Sequence, residues 1–340
     1  MKIIHESVFM SAFRAFFIAF FGVLGTVISL LGIFLASYLV FKSNDDQTFS
    51  ANVEILPDGD GNRKKLSGDS PILLQITIEG EIGKDKLTGK KIEEILIKSR
   101  EEAFSNNRVK GILLVINSPG GGVNDSNIIY RHLKEYKTKY HVPIYTFIDG
   151  LCTSGGYYIA CASDKIFASE VSVIGSIGVL NWPPFMNFTD TMKKIGIESM
   201  TLSAGKGKDQ MNPFRPWHEG EEEDYQSLID YFYQQFTTIV TLNRPIDMNN
   251  LKDNIGAKVL TPPQAKDHGF IDESNASRRE VLNALAKEVG IEDHYQVVGF
   301  ESTSWLKKVI KETPCSPIVS GKIKHEFSLP ISEGNALYWK

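Results

Sequence analysis

The chain has 340 residues, of which 42% are hydrophobic and 23% are charged, with a formal net charge of −4 at pH 7. This length and composition fit one or two packed domains and exclude a disordered chain, a collagen-like chain and a disulfide-stapled mini-protein. Nucleic-acid-binding proteins normally show a basic excess, so no nucleic-acid partner is expected. The cysteines Cys152, Cys161 and Cys315 are too few and too unevenly spaced for a disulfide framework or a zinc site, and we expect no metal or other cofactor.

The N-terminal part of the sequence contains an uncharged apolar run over residues 15–41. A helix needs about 20 apolar residues to cross a bilayer, whereas the apolar region of a cleaved signal peptide usually has about 7–15. We therefore predict an uncleaved transmembrane anchor, with a cleaved signal peptide as the alternative. Lys2 and Arg14 precede the run and Lys42 follows it, so the positive-inside rule favours a short cytoplasmic N-terminus over residues 1–14 and an extracytoplasmic body.

The body of the chain alternates short β-branched runs with helical spacing of apolar residues. Residues 42–70 are polar and are interpreted as a linker or a loosely ordered edge, whereas residues 71–290 have the pattern of a packed domain. Strands alternating with helices predict a mostly parallel α/β sheet with right-handed crossovers. No role can be assigned to the tail over residues 291–340. The predicted strands cover 72–78, 109–116, 142–148, 165–168 and 174–180, and the predicted helices cover about 92–103, 124–139, 154–162, 219–242, 261–269 and 277–288.

The segment NSPGGG, residues 117–122, follows a predicted buried strand. Glycines at a strand-to-helix turn leave backbone N–H groups free to point at an oxygen atom, which suits an oxyanion hole or a phosphate cradle. A simple tight turn explains the same glycines equally well. Because the segment lacks the GxxxxGK[ST] pattern, a P-loop is not indicated.

The segment CTSGGYY, residues 152–158, follows the next predicted strand and opens a short helix. Within it, Ser154 has the placement of a nucleophile at a sharp strand-to-helix turn, and the N–H of Gly155 can donate to an oxyanion. A serine N-cap followed by a close-packed glycine is the structural alternative. The neighbouring Cys152 is expected to fill the core, as buried cysteines commonly do.

A nucleophilic serine needs a base, and no histidine lies between residues 142 and 217. The segment SAGKGKD, residues 203–209, offers two lysines instead. A buried lysine can act as a base when its pKa falls far below about 10.4. By default, however, a glycine-flanked lysine in a charged loop is a solvated surface residue. His218 is the remaining histidine alternative, in a sequence context typical of a solvated helix start.

Together these segments resemble the signal peptide peptidase A (SppA/SohB-like) family of membrane-anchored serine–lysine peptidases. The segments that carry the resemblance are, in chain order, NSPGGG, TSGGYYIACASDKIFA, VIGSIGVL, SAGKGKDQMNPF and VLTPPQAKDHGFID. The resemblance implies a ClpP/crotonase-like fold, a spiral of β-β-α units, preceded by one transmembrane helix. It also implies a single-pass protein of a bacterial-type inner (cytoplasmic) membrane that hydrolyses hydrophobic peptides such as remnant signal peptides.

The resemblance also implies the site residues. Ser154 is then the nucleophile, and Lys208 is the general base because it matches the family's Gly-x-x-Lys position. Ser176, within the segment GSIGV, matches the serine that orients the lysine. The N–H groups of Gly121 and Gly155 are expected to form the oxyanion hole.

The number of motif copies bears on how this site is assembled. Each motif occurs once, as in the short members of the family, which form rings and pair the serine of one protomer with the lysine of its neighbour. We therefore predict a homo-oligomeric ring.

Lys206 is the rival base, although it follows Gly205 by one residue rather than three. Thr153 stands where the family often has alanine, and it is small enough to keep the turn.

Two functions of other classes remain open. A crotonase-like acyl-CoA enzyme would share the fold and the glycine-rich oxyanion turn, but it needs a carboxylate acid/base and a nucleotide pocket, for which the sequence offers no candidate. A catalytically inactive oligomeric membrane scaffold would keep the fold alone. The presence of Ser154, Ser176 and Lys208 argues against the scaffold.

Overall fold

The computed structural model describes residues 8–45, 51–66, 68–84, 87–101 and 104–302. Its first element is a long helix, α1 (Val8–Asp45), in which the stretch Phe16–Ile33 has a mean hydropathy of 2.4 and no buried residue. Within the described residues, α1 is the one helix long and apolar enough to cross a membrane. Lys2 and Cys315 lie outside the described residues.

The remaining elements alternate between strands and helices through most of the body. The strands are β1 (Ala51–Leu56), β2 (Ile72–Glu79), β3 (Val109–Ser118), β4 (Ile144–Thr153), β5 (Lys165–Ala168), β6 (Val173–Gly175), β7 (Val259–Leu260) and β8 (Gln296–Ser302). The further helices are α2 (Gly89–Lys98), α3 (Val123–Tyr140), α4 (Gly155–Ala160), α5 (Thr189–Lys194), α6 (Glu223–Asn243), a π-helix (Asn250–Ile255), α7 (Pro262–Asp267) and α8 (Arg278–Glu288).

The strands form one mixed sheet in the order β1-β8-β2-β3-β4-β6-β7, with β5 also paired to β4. β2, β3 and β4 are parallel to one another, and β8 is parallel to β2. The two outermost strands, β1 and β7, run antiparallel to their neighbours. The mostly parallel α/β sheet predicted from the alternation of strands and helices is therefore confirmed.

The central strands are buried on both faces, which is why they read as nearly continuous apolar runs. One core lies between the sheet and helices α2, α3, α4 and α6, and it includes Ile92, Leu133 and Phe236. A second, smaller core lies where α8 packs on the sheet, and it includes Tyr145 and Leu285. With both faces covered, the functional side chains emerge at the ends of the strands.

The sheet extends into segments that were expected to lie outside it. β1 falls within the expected linker over residues 42–70, and β8 opens the expected tail over residues 291–340. β8 inserts between β1 and β2, with Ala51 opposite Ser302 and Gln75 opposite Gly299. Short strands of this kind gain their stability from long-range pairing, so their local sequence carries little signal.

β6 is shorter than the strand predicted over residues 174–180. It ends at Gly175 because Ser176 adopts a positive φ of 54°, a backbone conformation that strands do not accommodate. The early end of β6 leaves Ser176 at the edge of the sheet.

Candidate active site

The carboxyl ends of three neighbouring strands meet at one edge of the sheet. Ser118, the last residue of β3, is paired with Cys152 of β4, and Thr153 of β4 is paired with Gly175 of β6. Ser154 directly follows β4, and Ser176 directly follows β6. The parallel register therefore brings the two predicted site serines to neighbouring positions.

Ser154 occupies a strained turn between β4 and α4. Its backbone has φ 50° and ψ −123°, a region that costs a non-glycine residue about 1–3 kcal/mol. Its N–H donates to the Gly175 carbonyl at 2.9 Å, and its carbonyl accepts the Tyr158 N–H at 3.0 Å. The side chain is partly exposed. A serine held in this way at a strand-to-helix turn has the geometry of a nucleophile elbow, even though the GxSxG pattern is absent.

The glycine loop after β3 is clamped against Ile82. The Ile82 N–H donates to the Gly120 carbonyl at 2.9 Å, and the Gly122 N–H donates to the Ile82 carbonyl at 2.8 Å. Gly121, between these two bonds, has φ 151°, and a Cβ there would lie 2.2 Å from the Ile82 carbonyl oxygen. Only glycine fits this position, and its own N–H is left out of the clamp.

The amides of Gly121 and Gly155 lie next to each other beside Ser154. A Cβ built on Gly155 would lie 3.4 Å from the Gly121 nitrogen. One built on Gly120 would lie 2.8 Å from both the Gly155 nitrogen and the Ser154 Cβ. Among the described residues, neither amide N–H has a hydrogen-bond acceptor. Two unpaired N–H donors close to a candidate nucleophile can together stabilise a tetrahedral oxyanion.

Ser118 supports this loop and was not singled out by the sequence analysis. Its fully buried hydroxyl donates to the Gly80 carbonyl at 2.6 Å and accepts the Gly120 N–H at 3.1 Å. It therefore ties the glycine loop to the end of β2. Its position inside the NSPGGG segment was visible in the sequence, but its inward orientation depends on the strand register.

Ser176 shares the backbone strain of Ser154. It has φ 54° and donates its N–H to the Lys258 carbonyl at 2.9 Å. Its side chain is partly exposed on the same sheet edge. Ser176 thus lies next in register to Ser154, and its predicted role in orienting a lysine stays a prediction.

Lys208 is exposed and lies in a turn, where its N–H donates to the Gly205 carbonyl at 3.2 Å. No hydrogen bond or ion pair within the described part of the chain joins it to Ser154 or Ser176. Lys206 is likewise exposed. The structure therefore brings together four of the five predicted site residues, and within the described residues no hydrogen bond or ion pair joins Lys208 to them.

The histidine alternative gains no support from the geometry. His218 is exposed, and its Nε2 lies 4.0 Å from a Glu221 oxygen. Among the described histidines, none hydrogen-bonds Ser154 or Ser176; His294, for example, contacts Ser70 instead. A Ser–His arrangement within one chain is therefore not present in the described part of the structure.

The two described cysteines are buried and free. Burial raises the pKa of the Cys161 thiol to about 12 and raises that of Cys152 as well. Both remain neutral thiols at physiological pH, so Cys152 packs in the core as expected rather than competing with Ser154. Within the described residues, no group of His, Cys, Asp or Glu is arranged to hold a metal ion.

Helix α4, which follows Ser154, is fixed to the segment that closes the domain. The Tyr157 hydroxyl donates to the Phe270 carbonyl at 2.8 Å. Arg244, at the end of α6, donates to the Gly269 carbonyl at 3.0 Å and to Asp272 at 3.0 Å. These bonds, of which the Tyr157 bond is fully buried, hold the backbone behind Ser154 in one orientation.

Comparison with known proteins identifies the family. The model of Peptidase family S49 matches residues 137–292, and the Clp protease model matches residues 74–174. A candidate protease of Methanocaldococcus jannaschii is 35% identical over 219 residues, which cover 62% of this chain and 69% of that protein. The chain belongs to peptidase family S49. The S49 match includes Ser154, Ser176 and Lys208, and the resemblance drawn from the ordered motifs is confirmed at the family level.

The S49 chain also matches a bacterial relative and a solved structure. A candidate signal peptide peptidase SppA of Enterococcus faecium is 35% identical over 210 residues, covering 60% of each protein, so the match spans less than two thirds of that relative. The structure of a ClpP1 variant from Listeria monocytogenes aligns with a TM-score of 0.42 and 17% identity, covering 61% of this chain and 94% of that chain. The Clp protease match, together with the mixed sheet, supports the ClpP-like fold of this S49 chain.

Proposed function

We propose that this chain is a membrane-anchored serine endopeptidase with Ser154 as the nucleophile and Lys208 as the general base. The observation that carries the proposal is the strained Ser154 turn beside the unpaired N–H groups of Gly121 and Gly155. Membership of family S49 supports peptide hydrolysis as the reaction. An acyl-CoA enzyme would use the same two amides, but it lacks this family support.

The mechanism follows from the chemistry of these groups. Neutral Lys208 takes the proton from the Ser154 hydroxyl, whose oxygen attacks the peptide carbonyl carbon. The Gly121 and Gly155 N–H groups hold the oxyanion, each contributing about 3–4 kcal/mol to the transition state. Protonated Lys208 then gives its proton to the leaving amine, and water hydrolyses the acyl-enzyme. Ser176 accepts or donates a hydrogen bond at the lysine and so fixes its direction.

A single chain does not supply the environment that this base needs. A lysine acts as a general base only in its neutral form, which removal from water favours. Lys208 is exposed within its own chain. Another structural element must therefore shield its amine from water and bring it within reach of Ser154. A second copy is the natural source, with the Lys208 of one protomer meeting the Ser154 of its neighbour.

The segment that carries Lys208 is suited to contact another copy. Trp182 is 77% exposed, Met200 is 84% exposed and Leu202 is 89% exposed, all within residues 180–214. Large exposed apolar side chains in one segment mark an interaction surface. Head-to-tail contacts that close on themselves give rings, which supports a homo-oligomeric ring as the active form.

The substrates and the location extend the same proposal. Helix α1 has the length and hydropathy of a single membrane span, which supports a membrane anchor. The excess of Lys and Arg before the span favours a peptidase domain outside the cytoplasm, and a bacterial inner membrane is the proposed location. A protease tethered at that surface meets apolar peptides released into or near the bilayer. Hydrophobic peptides such as remnant signal peptides are therefore the proposed substrate class.

The proposal is tested on the full-length chain in detergent by labelling with a fluorophosphonate serine probe and by peptide hydrolysis. Ser154→Ala and Lys208→Ala should each abolish both signals while the oligomer size stays unchanged. Lys206→Ala is the matched control and should remain active. Mixing dissociated Ser154→Ala and Lys208→Ala chains and reassembling them should restore part of the activity, because some sites then combine an intact serine with an intact lysine.

Two outcomes would contradict the proposal. Full activity of Lys208→Ala would exclude Lys208 as the general base. Absence of probe labelling in a folded wild-type oligomer would favour the inactive scaffold. Failure of the mixed chains to recover activity would confine the dyad to one chain and would contradict the ring arrangement of the site.

A further inference from the structure

The turn that carries Lys208 is held by a cluster of charged groups that the mechanism above does not use. The cluster consists of Arg215, Asp209 and Glu221. We propose that Arg215 is a positioning residue that fixes the backbone next to Lys208 and so presents the lysine to the nucleophile. This inference rests on the proposed role of Lys208 as the base.

Arg215 binds both the side chain and the main chain of the residue that follows Lys208. Its Nε donates to the Asp209 carboxylate at 2.8 Å, and its Nη2 donates to the Asp209 carbonyl at 2.8 Å. Its Nη1 pairs with Glu221 at 2.7 Å and also donates to the Pro216 carbonyl at 2.8 Å. The planar guanidinium therefore binds the carboxylate and the main-chain carbonyl of Asp209 at the same time, which a lysine at this position cannot do.

Glu221 holds the same turn from its other end. Its carboxylate is buried and accepts the Met211 N–H at 3.0 Å. Met211 itself has a positive φ of 56°, so this bond stabilises a conformation that the residue rarely adopts. Hydrogen bonds from Arg215 lower the pKa of Asp209 and lower that of Glu221 to about 2. Both carboxylates thus stay charged at neutral pH and keep their hold on Arg215.

The turn needs such support because it has no core of its own. Residues 203–208 are exposed, and Gly205 and Gly207 both have positive φ values. Isolated ion pairs on a surface contribute little. Here, one side chain instead joins two carboxylates and two carbonyls from residues 209–221. A long, flexible lysine side chain reaches its target reliably only when its backbone is fixed.

The test compares Arg215→Gln, Arg215→Lys and Glu221→Gln in the full-length oligomer, with Arg63→Gln as the matched control. Arg63 makes a single exposed contact with Glu54 at 3.7 Å and should have no effect when replaced. Misplacing a catalytic group by about 1 Å costs up to about 10²-fold, so Arg215→Gln should lower kcat by about 10–100-fold with KM nearly unchanged. Arg215→Lys, which can keep one ion pair, should fall between wild type and Arg215→Gln.

A merely structural role predicts a different pattern. In that case the loss of kcat would follow the loss of oligomer and of thermal stability. Glu221→Gln, whose amide oxygen can keep the Met211 bond while its NH2 group offers Arg215 no acceptor, would then be fully active wherever it is folded. Wild-type kcat in Arg215→Gln would also overturn the inference. If Lys208→Ala is itself active, the proposed dyad has failed; if Lys208→Ala is inactive while Arg215→Gln is not impaired, only the positioning role has failed.

Discussion

Replacing Ser118 by alanine separates the support of the oxyanion loop from the stability of the fold. Ser118 is the buried hydroxyl that joins the Gly80 carbonyl to the Gly120 N–H. Alanine removes this bridge without adding any atom. We expect the Gly121 amide, which follows Gly120 directly, to lose its fixed direction toward the oxyanion beside Ser154.

The two lost hydrogen bonds set the expected loss of unfolding free energy in Ser118→Ala. The Gly120 N–H is buried and would be left without its acceptor, which costs about 1–3 kcal/mol. The Gly80 carbonyl is exposed enough to find water, so its lost bond costs only about 0.5–1.5 kcal/mol. The expected loss of unfolding free energy is therefore about 2–4 kcal/mol. Complete removal of an oxyanion donor costs about 10²–10³-fold in kcat, and a displaced donor should cost about 10–10²-fold.

Ser99 provides the matched control. It is equally buried, and its hydroxyl also makes two bonds, to the Leu96 carbonyl at 2.6 Å and to the Tyr136 hydroxyl at 2.8 Å. It lies at the C-terminal cap of α2 rather than at the strand ends. Urea unfolding should show losses of similar size in Ser118→Ala and Ser99→Ala. Peptide hydrolysis, measured where both variants are folded, should show a reduced kcat in Ser118→Ala alone.

Two results would refute this reasoning. Equal losses of kcat in Ser118→Ala and Ser99→Ala would mean that activity follows stability rather than the direction of one amide. Full kcat in a destabilised Ser118→Ala would mean that Ile82 alone holds the loop, through its two bonds to the flanking glycines.

Three further predictions concern the site, the assembly and the pH response. Gly120→Ala should be inactive although folded, because the residue has φ 104° and its Cβ would lie 2.8 Å from that of Ser154; an active variant, by probe labelling, would contradict this. Leu202→Asp should reduce the oligomer mass in light scattering, since 89% of this apolar side chain is exposed in one chain, and an unchanged mass would place the interface elsewhere. The pKa of Glu221 is lowered from 4.5 to about 2 by Arg215, so its stabilisation is complete above pH 4.5 and is lost as pH falls toward 2. The unfolding free energies of wild type and Glu221→Gln, measured by urea titration, should therefore converge as the pH falls toward 2.

Local sequence patterns located the glycine loop and the Ser154 turn of the candidate site, because both depend on local backbone chemistry. The glycines near Gly121 and the turn at Ser154 follow buried strands, and strand ends of parallel sheets meet at one edge. The structure places them together as that rule predicts. Ser176 was reached only through the family resemblance, because a three-residue strand such as β6 has too little sequence to reveal its end.

Other parts depend on contacts that a local pattern does not contain. The inward direction of Ser118 follows from the register of β3 against β4. The Arg215 cluster joins residues up to 12 positions apart through a folded loop whose turns are not periodic. In the proposed ring, the partner of Lys208 belongs to a neighbouring chain, and such a contact is not encoded in any local pattern of one chain.

Because β8 lies near residue 300 of the chain, the sheet is completed late in synthesis and folding. β2 can pair with β3 across a short connection, but its other edge must wait for residues 296–299. Closing the longer connection costs about 2 kcal/mol more in chain entropy. Until then β2 presents an open, apolar edge, which is prone to pair with other chains. A nascent chain would thus expose this apolar edge of β2 until residues 296–299 have been synthesised.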